Sequence, residues 1–128
     1  MKNTLTTSLL TCLLLAGTAL AQGEKSGARI KFIKTEYNFG TLKQNDSAEC
    51  SFVFQNTGNA PLVVASVGTT CGCTVPQWSR KPVMPGKYGT VKVRYNTSHK
   101  GSFRKVVSVK SNDTSQSPCI LWIKGKVE

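Results

Sequence analysis

The stretch Ala48-Glu49-Cys50-Ser51-Phe52-Val53-Phe54-Gln55-Asn56-Thr57-Gly58-Asn59-Ala60-Pro61 decides how this chain folds. Its first half alternates. Ala48, Cys50, Phe52 and Phe54 fall on one side of an extended strand, and Glu49, Ser51, Val53 and Gln55 fall on the other. A period of two suits a strand with one face in a core and one in water, and it does not suit a helix. The second half, Asn56 to Pro61, is built from turn residues and stops the strand.

The same pattern repeats on both sides. Upstream, Ile30 and Phe32 alternate with Lys31 until Ile33 breaks the pattern. Downstream, Leu62 to Val67 is a continuous apolar run, and Val91, Val93 and Tyr95 alternate with Lys92 and Arg94. Phe103, Lys105, Val107 and Val109 share one face of a further run, and Cys119, Leu121 and Ile123 share one face of the last. Pro85-Gly86, Asn96-Thr97-Ser98 and Ser111-Asn112-Asp113 punctuate these runs. No stretch of useful length shows a helical period. About seven short strands so spaced predict an all-β, antiparallel sandwich or barrel. Residues 76–88 carry Pro76, Trp78, Pro82, Pro85 and Gly86 and read as a long connection. Proline there is expected to exclude regular pairing, with Trp78 capping one end of the sandwich.

The beginning of the chain reads differently. Lys2 precedes a short apolar centre of Leu9, Leu10, Cys12, Leu13, Leu14 and Leu15, and Ala19-Leu20-Ala21 supplies the small residues of a signal-peptidase site. Residues 1–21 are therefore expected to be a cleaved signal peptide, with the mature chain starting at Gln22. The apolar run falls short of the ~20 residues a bilayer span needs. Thr11 stands before Cys12 where a lipoprotein has a smaller residue, which argues against lipidation. Residues 22–28 are small and polar and read as a flexible lead-in, leaving 29–128 as one domain. The expected location is periplasmic, secreted or cell-surface.

The chain carries 17 Lys and Arg against 6 Asp and Glu, for a formal charge of +11. Such a charge attracts anionic partners. Export disfavours nucleic acid, so an acidic envelope protein or an anionic glycan is the expected class of partner. Lys and Arg also solvate outer strand faces and blunt sheet edges.

Several motifs together resemble a known family. Phe39-Gly40-Thr41-Leu42, then Phe52 to Leu62, then Cys71-Gly72-Cys73-Thr74-Val75-Pro76, then Pro85-Gly86, then Ile123-Lys124-Gly125-Lys126-Val127 occur in the order seen in DUF1573 domains. The resemblance covers roughly residues 30–127. It implies an immunoglobulin-like sandwich related to ASH and major-sperm-protein domains, exported in bacteria, with no established activity.

Four cysteines lie beyond residue 21: Cys50, Cys71, Cys73 and Cys119. An oxidising compartment permits disulfides among them. Cys50 and Cys119 sit on inward faces of their strands, either as buried thiols or as a bridge. That bridge would close a loop of about 70 residues, worth about 4 kcal/mol in the chain-entropy model. Cys71-Gly72-Cys73 is the sharpest local feature. Two residues of extended strand advance about 6.6 Å with both side chains on one face, which leaves the Cβ atoms too far apart for an unstrained bridge. Gly72 can fold the chain and bring the sulfurs together. The pair then has three readings: a packed or bridged turn, a reversible dithiol, or ligands to a soft metal such as Cu(I) or Zn(II). Arg80 and Lys81 follow in sequence and would favour a thiolate. His99 and Met84 are the candidate companions for a metal, and neither completes a known ligand spacing.

No acid, base or nucleophile constellation emerges, and no cofactor motif is present. His99 reads as a solvated turn, Asp46 and Asp113 as turn caps, and Glu36 and Glu49 as strand flanks. Trp122, between inward Leu121 and Ile123, should face outward. The expected role is a non-enzymatic binding or structural module of the envelope, acting through sheet edges or end loops. The alternative is a thiol redox or soft-metal protein centred on Cys71 and Cys73.

Overall fold

The computed structural model describes residues 27–128. The expected signal peptide and most of the lead-in fall outside the described residues. Gly27 and Ala28 belong to the fold. Ala28 is buried, and Gly27 exchanges hydrogen bonds with Asn59.

Regular structure among the described residues is all strand. The strands are β1 (Ile30–Phe32), β2 (Glu36–Leu42), β3 (Ala48–Asn56), β4 (Val64–Thr69), β5 (Thr74–Trp78), β6 (Tyr88–Tyr95), β7 (Gly101–Ser111) and β8 (Cys119–Val127). One sheet has the order β1-β3-β6-β5 and the other β2-β8-β7-β4. This is the immunoglobulin order, ABED against CFG, with the first strand split between the sheets. The split explains eight strands where about seven are expected. The Ile33 N–H still donates to Val53 of the first sheet, and Thr35 C=O already accepts from Trp122 of the second. β2 therefore runs parallel to β8, in a sandwich whose other pairs are antiparallel. Gly40, at φ 72°, sits at the register break of that pair, a bulge that glycine alone enters at little cost.

The alternating residues of β3 fill the core as their spacing predicts. Ala48, Cys50, Phe52 and Phe54 are buried, facing Val91 and Val93 of their own sheet and Val107, Val109, Leu121 and Ile123 of the other. Tyr95 stacks on Phe103 across the sandwich at 3.7 Å between ring centroids.

The reading of 76–88 needs correction. Residues 76–78 pair regularly as part of β5, with Pro76 opposite Val93 and Trp78 opposite Val91. β5 is an edge strand, and the physical reason lies there. Asn96 N–H donates to Cys73 C=O, so antiparallel alternation turns the main-chain groups of Val75 and Gln77 toward β6 and those of Pro76 and Trp78 toward the open edge. Proline has no donor to lose on that side. Only 79–87 forms the connection, pinned by the Leu62–Val83 bridge.

The loops gather at two ends. Residues 43–47, 70–73 and 96–100 meet near Glu128, tied by Gln44 N–H to Glu128 C=O and Asn45 N–H to Thr97 C=O. At the opposite end two fully buried polar side chains organise the turns. Asn56 accepts from the N–H of Gly58 and Arg29 and donates to Ala60 C=O and Val83 C=O. Asp113 accepts from Ile30 N–H, Ser115 N–H and Ser115 Oγ, with Arg29 Nη1 at 3.4 Å. Gly58 is held so close to the incoming chain that a Cβ would collide with Gly27 O and Arg29 N.

Candidate functional site

Two regions carry exposed chemistry: the turn between β4 and β5, and the edge of β5 itself.

Cys71 and Cys73 form a disulfide, with Cα atoms 5.3 Å apart. The chain contracts below the extended spacing because residues 71–74 make a tight turn, with Thr74 N–H donating to Cys71 C=O at 3.3 Å. Both half-cystines are half-buried, and Gly72 between them is exposed. Thr69 Oγ1 lies 3.1 Å from Cys71 O and 3.2 Å from Thr74 O, and Asn96 N–H reaches Cys73 O at 2.7 Å. Cys73 N–H donates to Cys71 Sγ at 3.3 Å. A bridge with one intervening residue constrains the unfolded chain little, about 2 kcal/mol in the entropy model. Bonded to each other, the two sulfurs offer no thiolate to a metal. Among the described residues no group of three or more His, Cys, Asp or Glu comes together. Met84 lies near the start of β6, the far end from the bridge, and His99 is exposed in the β6–β7 connection.

Cys50 and Cys119 are free thiols. They belong to different sheets, and Cys50 lies toward the cysteine-turn end of β3 whereas Cys119 opens β8 at the other end. Burial, with Glu49 adjacent, pushes the Cys50 thiol up to about 12. Burial and the nearby Asp113 charge also raise Cys119, whose thiol donates to Gln116 C=O at 3.2 Å. The thiolate is the nucleophile. Cys50 is therefore expected to resist iodoacetamide at pH 8 in the folded protein and to react at the ordinary rate in denaturant, as peptide mass spectrometry would read.

The β5 edge presents two clefts that share Trp78. One, of about 620 Å³, runs along Pro76, Gln77, Ser79, Arg80, Thr90 and Lys92. The other, of about 320 Å³, is walled by Phe54, Val64, Val83, Met84 and Tyr88, with Lys81 and Lys87 at its lining. Among the described residues no carboxylate lines either cleft. Met84 and Tyr88 are more than half exposed, at 52% and 59%, as is Val75 at 51%. The Trp78 ring packs on the core and carries Arg80 at 5.7 Å from its centroid. Met84, Pro85 and Gly86 shape the rim through a tight turn closed by Lys87 N–H to Met84 C=O. Sequence reasoning missed this region because Pro76 hid the strand that places Trp78 beside these residues.

Trp122 faces outward as its position in β8 predicts. Arg104 lies over its ring at 3.9 Å. Beside it the Lys124 ammonium, 2.7 Å from Glu36, holds that carboxyl below the usual range.

Residues 30–127 match the family described as "Protein of unknown function (DUF1573)". The chain belongs to the DUF1573 family. No curated protein matches it. Among solved structures this DUF1573 domain is similar to a protein of unknown function from Porphyromonas gingivalis W83. The TM-score is 0.70 at 17% identity, over 79% of this chain and 47% of that one, so the chain spans under half of that protein. It is also similar to the ASH/PapD-like domain 7 of human CEP192, at TM-score 0.67 and 8% identity over 89% and 96% of the two chains. The YadV chaperone follows at TM-score 0.56 and 14% identity, over 77% and 52%. At such identities the likeness is one of fold, and fold by itself assigns no activity. The likeness and the strand order together give the DUF1573 domain an immunoglobulin-like sandwich fold.

Proposed function

We propose that this protein is an exported binding module that takes an acidic, extended segment of another envelope protein along the edge of β5. The observation that carries this reading is the pairing of an open strand edge with two clefts that are apolar in part and ringed by cations, with no carboxylate among the described residues that line them. A strand laid on β5 finds the main-chain groups of Trp78 and the carbonyl of Pro76 unpaired. Its alternate side chains would enter the clefts on either side of Trp78. Arg80, Lys81, Lys87 and Lys92 select an acidic sequence and speed its encounter. Proline at the centre of the edge limits indiscriminate pairing. The PapD-like fold and the exposed Met84 and Tyr88 support the same reading.

A photo-crosslinking residue at Met84 is expected to yield one discrete envelope adduct. The double substitution Arg80→Glu, Lys81→Glu should weaken it at least fivefold. The same crosslinker at Ile120, exposed on the outer face of the other sheet, should yield none. Equal labelling from both positions would remove β5 as the docking line.

A further inference from the structure

The Cys71–Cys73 bridge lies outside the lining of both β5 clefts, and its surroundings suit a different task. We propose that it is a thiol–disulfide exchange site for a protein dithiol, in which Cys73 receives the incoming thiolate and Cys71 leaves.

Access comes first. Both half-cystines are half-buried at the apex of an end loop, and an added Cβ on Gly72 would meet nothing within 4 Å. Gly72 lines a cleft of about 580 Å³ together with Asp46, Arg94, Asn96 and Thr97. Neither half-cystine lines that cleft, and Cys73 packs partly against the core, so a partner thiol reaches the bridge over the exposed Gly72. The buried Cys50 and the distant Cys119 are not placed to intervene.

The fold does not depend on the bridge. Thr74 N–H, Thr69 Oγ1 and Asn96 N–H hold the turn through the main-chain carbonyls of Cys71, Thr74 and Cys73. None of these acceptors changes when the S–S bond opens. Reduction therefore alters the chemistry of the turn and leaves its backbone in place.

The hydrogen bonds also give the exchange a direction. Cys73 N–H points at Cys71 Sγ at 3.3 Å, whereas the hydrogen-bond partner of Cys73 Sγ is the Thr74 hydroxyl at 4.0 Å. A donor on sulfur stabilises its thiolate, and the better-stabilised thiolate is the better leaving group. A partner thiolate attacks Cys73 Sγ, forming a mixed disulfide. The Cys73–Cys71 bond breaks, and its electron pair stays on Cys71 as a thiolate held by the Cys73 N–H. The partner's second thiolate then attacks its own bridged sulfur and expels Cys73. The partner dithiol is oxidised to a disulfide, Cys71 and Cys73 gain two electrons, and the protons lost by the partner thiols return to them through solvent. A monothiol cannot take the second step within the same complex; Cys71 can only attack back and expel it, so an acid quench is what traps it on Cys73.

The test uses the purified protein with dithiothreitol as the dithiol and glutathione as the monothiol. Samples are quenched in acid, alkylated and mapped by peptide mass spectrometry. Dithiothreitol should open the bridge in native buffer while the far-ultraviolet circular dichroism stays unchanged. A short glutathione pulse should leave glutathione on Cys73 and alkyl on Cys71 at least tenfold more often than the reverse. The proposal is overturned if protein isolated from an oxidising compartment lacks the bridge, or if the bridge opens only in denaturant. Loss of the sheet signal on reduction would make it a staple and overturn the proposal equally. Even division of glutathione between the cysteines would refute the assigned direction.

Discussion

Asn56→Ala is expected to destabilise the protein by about 3–5 kcal/mol, a large part of the stability of a domain this size. The Asn56 side chain is fully buried and uses its full amide geometry: Oδ1 accepts twice and Nδ2 donates twice. Truncation strands Gly58 N–H, Arg29 N–H and Ala60 C=O, none of which has another bond, while Val83 C=O retains Leu62 N–H. A fully buried orphan costs roughly 1–3 kcal/mol, and these three part-buried groups each fall toward the lower end of that range. Asn59→Ala supplies the control on the same turn. It removes an exposed bond to Gly27 N–H and should cost under about 1 kcal/mol. Urea denaturation of the two variants decides the matter. Similar midpoints would show that the Asn56 network does not organise this end of the sandwich.

Asp113→Asn is expected to cost about 3 kcal/mol at pH 7 and progressively less in acid. Asp113 is fully buried. Burial by itself would raise its pKa, but hydrogen bonds from Ser115 and Ile30, with Arg29 beside it, reverse that and hold it below the ordinary carboxylate value. A carboxyl depressed on folding adds stability above its unfolded pKa, near 3.8, and loses it as the pH falls through the folded value. The wild type should therefore weaken below about pH 4, while this contribution is absent at every pH in the Asn variant. The gap between the two stability curves should narrow as the pH falls below about 4, measured by thermal or urea unfolding across the range. A gap that stayed constant from pH 7 to pH 2 would show that the charge of Asp113 is not what Ile30 and Ser115 need.

Both residues sit in stretches that sequence reading marks only as turns. Asn56 belongs to the Asn-Thr-Gly signal, and Asp113 reads as a turn cap. What neither stretch displays is the partner. Arg29, Ile30 and Val83 lie 27 to 84 positions away along the chain, and only the closing of the sandwich brings them to these side chains. The same holds for the β5 edge. Proline at 76 argues locally against a strand, and the pairing with β6 prevails because an edge position asks nothing of the missing N–H.

From sequence alone, alternation in β3, β6 and β8 and the turn residues between them determined a two-layer β fold, because side chains of a strand must face opposite ways and one face must be covered. The Cys-Gly-Cys spacing likewise marked the one turn able to bring two sulfurs together. Tertiary structure alone decided the sheet switch between β1 and β2, the separation of Cys50 from Cys119, and the clefts around Trp78. These follow from contacts between residues distant in the chain, and no local pattern encodes which strand becomes an edge or which face of the sandwich a thiol occupies.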